Sequence, residues 1–396
     1  MSERRTPVAG TKQPAALTRA IRTVMQLLYP GTEAAETGTL AAGETRALFA
    51  ALWSGLVGVI VGLIVFWGGD VPLTGFSSPG LVAAVTAGAT GTVACIAAYL
   101  RQTREQSPQW SRGFSRAKRA LDAVAIALVH VAIMAMIVLL VFTVLGQGFI
   151  GVHVDTFTAT MIVTTITAVT SYVTTLSASS ITARSLSVLL ATYLTAGIIV
   201  AMLTTTQTHW WELHFSELGV GTGVSQLVFN LTLAGGGLLM TTLAFYLARD
   251  LDAWAAHAAP SRSRNVSLVQ WCFVLIGVCL IGVALVPVDV SLLIHNTFAT
   301  GMAVVFGLLL LRLRWLLDGF PRAFLMFSDA VAIGLAAGAL LFWPVGYYTL
   351  AAYEIVAALL IFVWLIIFIR HVGALSASRP ASASAGAGES AAPGVA

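Results

Sequence analysis

Charge is what this sequence has least of. Asp, Glu, Lys and Arg together make up 10% of its 396 residues, against about a quarter in an ordinary soluble domain. So few charges cannot cover a water-facing surface of this size, which excludes a soluble globular protein. Lysine is nearly missing: Arg outnumbers Lys 19 to 2. Neither lysine falls inside an expected membrane span, which argues against a retinal-type Schiff base. The three cysteines, Cys95, Cys272 and Cys279, lie inside apolar runs, with no spacing for a metal or a disulfide framework. There is no phosphate-binding glycine loop, no nucleophile elbow and no zinc-protease helix. No polar segment is long enough for a nucleotide-binding domain, so direct use of ATP is excluded too. The excess of Arg over Lys, with heavy use of Ala, Gly and Val, fits the coding bias of a GC-rich bacterium and so a bacterial plasma membrane.

What is there is hydrocarbon-seeking. Apolar residues make up 58% of the chain, and they fall into ten runs near 47–68, 80–100, 121–146, 156–177, 184–204, 223–247, 268–287, 291–311, 323–343 and 348–369. Each is long enough to cross about 30 Å of hydrocarbon at about 1.5 Å per residue. The fold class expected is therefore all-α, a polytopic transmembrane helix bundle. Loop charge supports the count. The segments 69–79, 147–155, 205–222, 288–290 and 344–347 contain no Lys or Arg. All 21 cationic residues lie in the tails or in the alternate loops. Cationic short loops stay cytoplasmic, which puts both termini inside.

Four regions follow from this. Residues 1–46 form an N-terminal tail, in which Leu17, Ile21, Val24, Met25 and Leu28 make an amphipathic stripe. Residues 47–183 form a first four-helix unit, 184–370 a second unit of six helices, and 371–396 a disordered tail rich in Ala, Ser and Gly. The basic loop at 101–120 interleaves Arg101, Arg104, Arg112, Arg116, Lys118 and Arg119 with Trp110 and Phe114. Next to a membrane, such a loop meets anionic lipid headgroups rather than nucleic acid. Membrane lipids are the expected partners, and a homo-oligomer is compatible with the sequence. No cofactor is expected.

Short motifs recur at a near-constant offset. Phe76-Ser-Ser-Pro-Gly80 matches Phe215-Ser-Glu-Leu-Gly219, and Asp155-Thr-Phe-Thr-Ala-Thr-Met161 matches Asn296-Thr-Phe-Ala-Thr-Gly-Met302. Tyr99-Leu-Arg101 and Tyr246-Leu-Ala-Arg249 close the second and sixth spans. They suggest a tandem four-helix repeat plus a closing helix pair. Parallel repeats of that kind tend to hold their sites between the halves.

Polar groups inside spans are costly and therefore mark candidate sites. Asn230 and Glu354 lie about seven residues, or roughly 10 Å, from the cation-poor ends of their helices. His295 and Asn296 lie about one turn in, and Ser216 and Glu217 sit in the loop just above. These six share one depth and form the candidate substrate or proton pathway, with Asp329 and His214 as secondary candidates. The competing reading of each is an interhelical hydrogen bond that only holds helices together. For Asp329, nearer the cation-rich end, an ion pair with a loop arginine is the expected explanation. His130 reads as a packing histidine. His209-x-x-Glu212-x-His214 offers ligand types, but the outer pair are five residues apart and do not share a helical face, so no metal is expected.

Residues 184–370 resemble the six-pass membrane family known as domain of unknown function 998, and more distantly the Frag/DRAM/Sfk group. The resemblance rests on Phe215-Ser216-Glu217-Leu218-Gly219, on Phe229-Asn230 before the glycine-rich helix, and on His295. It implies a fold and a location for the site more than an activity. Two readings of function follow from the residues. The favoured one is a permease-like or lipid-handling protein with a polar pocket in the outer half of the bilayer, any coupling running by protons through Glu354. The other is a membrane-embedded enzyme acting on an envelope lipid, with Glu217, His214 or His295 as acid or base. A non-catalytic scaffold subunit is the third.

Overall fold

The computed structural model describes residues 36–105, 115–258 and 263–377. The stripe at 17–28, the loop aromatics Trp110 and Phe114, and the chain beyond Ala377 lie outside them. The chain divides into two units, Met1–Arg46 and Ala47–Ala396. Ten long helices run through the described residues: α1 Glu36–Val65, α2 Pro79–Glu105, α3 Arg116–Gly148, α4 Thr156–Ala178, α5 Ala183–Thr204, α6 Val224–Ala258, α7 Ser263–Leu285, α8 Leu292–Leu316, α9 Arg322–Phe342 and α10 Leu350–Ala377. All ten are long and apolar enough to cross a membrane. Large apolar side chains stand exposed along them, among them Leu52, Ile64, Leu293 and Leu311. This outward hydrophobic surface is what a bilayer requires, and the chain is a multi-pass membrane protein.

Several helices outrun their hydrophobic windows. α3 begins at Arg116, not 121, because Ser115 caps it by accepting the Lys118 N–H at 3.1 Å. Lys118, expected in a loop, is therefore a helical residue. α6 continues past 247 because Leu251, Trp254 and Ala255 keep one face buried after the hydropathy falls. α10 continues to Ala377 for the same reason, with Phe368, Ile369 and Val372 buried. The tail expected to be disordered from 371 thus begins as helix. On the cation-poor face, Val71–Pro72 pairs antiparallel with His153–Val154. There the link from α5 to α6 is wound into two 3-10 turns, Trp210–Glu212 and Phe215–Gly219.

α6 is the central post. Its Leu239, Leu243, Ala244, Leu247 and Leu251 are fully buried, and it packs against α3, α5, α7 and α10. Glycine permits the closest of these approaches. A Cβ at Gly237 would sit 2.5 Å from the Gly277 carbonyl oxygen, and one at Gly277 would sit 2.7 Å from that of Gly237. Gly58 and Gly62 seat α1 on Thr164 and Thr160 of α4 in the same way. Small residues of this kind hold helices together where lipid supplies no hydrophobic drive. Gly237→Val is therefore expected to force α6 and α7 apart, at a cost of about 1–3 kcal/mol. Gly307→Ala, with nothing within 4 Å of the added carbon, should be neutral or stabilising by about 0.5–1 kcal/mol. Thermal midpoints in detergent check both, and equal midpoints for the two variants would refute the close-approach argument.

The two sets of four helices pair differently. In the first set α2 packs on both α3 and α4; in the second, α6 packs on α5 and α7, and α7 on α8. α9 packs on α10, which returns to α5 and α6. The tyrosines matched by the motif repeat do meet, the Tyr246 hydroxyl lying 3.4 Å from that of Tyr99.

Candidate functional site

The Phe215–Gly219 turn is where the candidate residues converge. A 3-10 turn closing the α5–α6 link leaves backbone groups that must find partners outside the turn. Two helices supply them, and a third reaches a side chain of the turn. From α10, the half-buried Glu354 carboxylate accepts the Phe215 N–H at 2.7 Å. From α6, Asn230 Nδ2 donates to the Gly219 carbonyl at 3.1 Å, and the Ser225 hydroxyl lies 3.1 Å from the Leu218 carbonyl. From α8, His295 Nε2 lies 2.9 Å from Ser216 Oγ. Trp210 of the preceding turn packs edge-on against Phe215, with ring centroids 5.3 Å apart. Asp289, between α7 and α8, accepts the Gly221 N–H at 3.3 Å.

The tautomer of His295 follows from its partners. Nδ1 is 2.8 Å from the Val286 carbonyl oxygen, which only accepts. In the neutral ring Nδ1 therefore carries the proton, and Nε2 accepts from the Ser216 hydroxyl. The tight α7–α8 link makes this possible: α7 stops at Leu285, Pro287 turns the chain, and Ser291 caps α8 one turn before His295. His295 is buried, whereas Ser216 is part-exposed.

His214 stands beside this pair with its Nδ1 buried and unpartnered. Burial holds its pKa below the usual 6.5, the nearby His295 adds to that, and Glu217 opposes both. The sign follows directly. Between the depressed folded value and 6.5, the unfolded chain binds a proton that the folded chain refuses. The stability contributed by neutral His214 is thus complete above 6.5 and is lost as pH falls through the folded value. The thermal midpoint of the wild type should fall relative to His214→Gln as pH drops from about 7.5 to 5. A constant gap across that range would refute it.

Not every expected residue joins. Asn296 is exposed beside the buried His295. Asp329 is far along the chain from the turn and forms an ion pair with Arg314 of α8. His130 is buried with Nδ1 2.8 Å from the Ile126 carbonyl and Nε2 2.7 Å from Ser177 Oγ. It is a second Ser–His pair, set inside the bundle. Among the described residues, no three of His, Cys, Asp or Glu gather closely enough to hold a metal ion.

One polar cluster went unforeseen. Asp122 of α3 is 3% exposed, and its carboxylate takes Lys118 Nζ at 2.6 Å and the Thr242 hydroxyl of α6 at 2.9 Å. Lys118 Nζ also lies 3.8 Å from the centre of the Phe245 ring. The i,i+4 spacing of Lys118 and Asp122 is the signal for it in the sequence, and it is hidden because the apolar run of the span begins between them. Compared with protein-family models, with curated proteins and with solved structures, the chain matches none of them.

Proposed function

We infer that this membrane protein acts on an ester-bearing lipid at its cation-poor face, with Ser216 as nucleophile and His295 as its base. The observation that carries the reading is the hydrogen-bond order through His295: Nδ1–H to the Val286 carbonyl, Nε2 accepting from Ser216 Oγ. An imidazole held in that tautomer has its lone pair aimed at the hydroxyl it would deprotonate. Ser216 Oγ then attacks the ester carbonyl while its proton passes to Nε2. The lipid alcohol leaves with that proton, and the acyl group stays on Ser216. Water or a second alcohol, giving its proton to Nε2, releases the acyl group and regenerates the serine. Glu354 and Asn230 are positioning residues that hold the turn at the height where lipid headgroups meet acyl chains. His214, neutral at pH 7, is a second basic group beside the pair.

The permease-like alternative makes Glu354 a proton carrier. Its carboxylate already accepts the Phe215 N–H, which favours positioning. Glu354→Gln keeps an acceptor oxygen and is expected to retain most activity. Loss of a pH-dependent transport phenotype in that variant would restore the permease reading. Membership of residues 184–370 in the six-pass family belongs to the same proposal, as does a bacterial plasma membrane. It rests on the Phe215–Gly219 turn, Asn230 and His295.

The test uses full-length protein in proteoliposomes treated with a fluorophosphonate probe. Label is expected on Ser216 by peptide mapping, and is expected to vanish in Ser216→Ala and His295→Gln. No label, or label on Ser177 instead, would overturn the assignment.

A further inference from the structure

Far from that turn, at the cation-rich ends of α2 and α3, a cleft opens between the two helices. Its outer part encloses about 360 Å³. Arg104, Arg116 and Arg119 line it, with Leu100 and Ala123 beneath them. A second part, about 420 Å³, continues along the same two helices between Thr92, Ala127, Leu128 and Val131. Ile96 and Val124 belong to both parts, so the two are continuous. Helical spacing accounts for the arrangement. Arg116, Arg119, Ala123, Ala127 and Val131 follow one face of α3 at intervals of three and four residues. From Arg119 to Val131 the cleft runs about 18 Å at about 1.5 Å per residue, which is about the depth of one leaflet's hydrocarbon.

Chemistry changes along that length. The three guanidinium groups form no ion pair among the described residues, while Asp122, a carboxylate on the same helix as Arg116 and Arg119, is turned into the α3–α6 seam and held by Lys118 and Thr242. Below Arg119 the lining is aliphatic apart from Thr92, and Val124 is half-exposed. A cationic mouth over an apolar slot open to the membrane matches one kind of ligand in both its halves. We propose that the cleft is a binding site for an anionic glycerophospholipid of the arginine-side leaflet. Its phosphate sits among Arg104, Arg116 and Arg119, and one acyl chain lies along Ile96, Val124, Leu128 and Val131. The site is independent of the Ser216–His295 pair. It goes beyond loose attraction of a basic loop to a charged surface, because the acyl chain has a place of its own.

The experiment is native mass spectrometry of the full chain in detergent, titrated with phosphatidylglycerol, phosphatidylcholine or glycerol phosphate. Phosphatidylglycerol is expected to bind most tightly. Changing all three arginines to Gln should weaken it by roughly fivefold per arginine, on the order of a hundredfold in all. Arg→Lys at the same positions should restore most of the binding. Val124→Trp, which fills the slot without altering charge, should lower phosphatidylglycerol binding at least about tenfold. Equal binding of the two phospholipids, or an unchanged affinity in the triple variant, would overturn the headgroup assignment. Displacement by glycerol phosphate at matching concentration, or full binding in Val124→Trp, would make this a site for free phosphate and overturn the lipid. Val124→Trp leaves the arginines in place, so the proposal stays testable if the triple variant does not fold.

Discussion

Replacing His295 with alanine is expected to lower lipid acyl transfer by a factor on the order of 10²–10⁴, the range a positioned base contributes. Ser216→Ala should lose at least as much, and the double variant should be no slower than Ser216→Ala alone, since a nucleophile and its base act as a unit. The difficulty is that His295 also ties α8 to the carbonyl at the end of α7, so its loss has a structural cost of its own. The chain carries the control for this. His130 makes the same two kinds of hydrogen bond, to a backbone carbonyl and to a serine hydroxyl, between α3 and α4. His130→Ala should destabilise by a comparable amount, about 1–3 kcal/mol for unpaired buried groups, and leave turnover per folded molecule unchanged. Rates by mass spectrometry of released acyl chains, divided by the folded fraction, separate the two roles. If both variants lose activity only in step with stability, His295 is a packing histidine and the reaction falls with it.

The comparison of His295 with Asn296 also marks how far the sequence could be read. Span boundaries set the height of each residue, because a helix of known ends climbs about 1.5 Å per residue. Height alone puts Ser216, Glu217, Asn230, His295, Asn296 and Glu354 at one level; three of them, Asn230, His295 and Glu354, reach the turn to which Ser216 and Glu217 belong. Height says nothing of rotation. Neighbouring residues on a helix point about 100° apart, and an apolar span has too weak an apolar–polar contrast to show which side faces protein. His295 therefore turns inward while Asn296 faces out. The same weakness hid the meeting partners: an orienting role for Glu354 through the Phe215 N–H belongs to the fold of a loop, on which hydropathy is silent. Asp122 was lost for a different reason. A hydropathy window stops where charge begins, yet α3 starts five residues earlier, and its first two turns carry a lysine and an aspartate that satisfy each other. Where a helix outruns the hydrocarbon, its buried face must be followed residue by residue.

The largest loss of stability is expected from Trp364→Ala, at about 3–5 kcal/mol. Trp364 is fully buried. It stacks on Phe368 with centroids 5.0 Å apart and meets Phe306 edge-on at 5.3 Å. Its Nε1–H donates to Ser328 Oγ of α9 at 2.9 Å, and that hydroxyl donates on to the Phe324 carbonyl at 2.9 Å. Truncation thus empties a site between α7, α8, α9 and α10, whereas Ser328→Ala only strands the indole N–H, costing about 1–3 kcal/mol. The buried thiols Cys95 and Cys279 allow a thiol-reactive dye to report unfolding, with Trp364→Ala melting lowest and Ser328→Ala between it and the wild type. The consequence reaches the distant turn. Glu354 lies ten residues up α10 from Trp364, roughly 15 Å, and holds Phe215 only while α10 keeps its register against α5 and α6. Below its melting point, Trp364→Ala should therefore lose fluorophosphonate labelling of Ser216 although no residue of the turn has changed. A variant that melts early yet labels Ser216 as the wild type does would mean that α10 plays no part in holding the turn, and Glu354 would lose its positioning role.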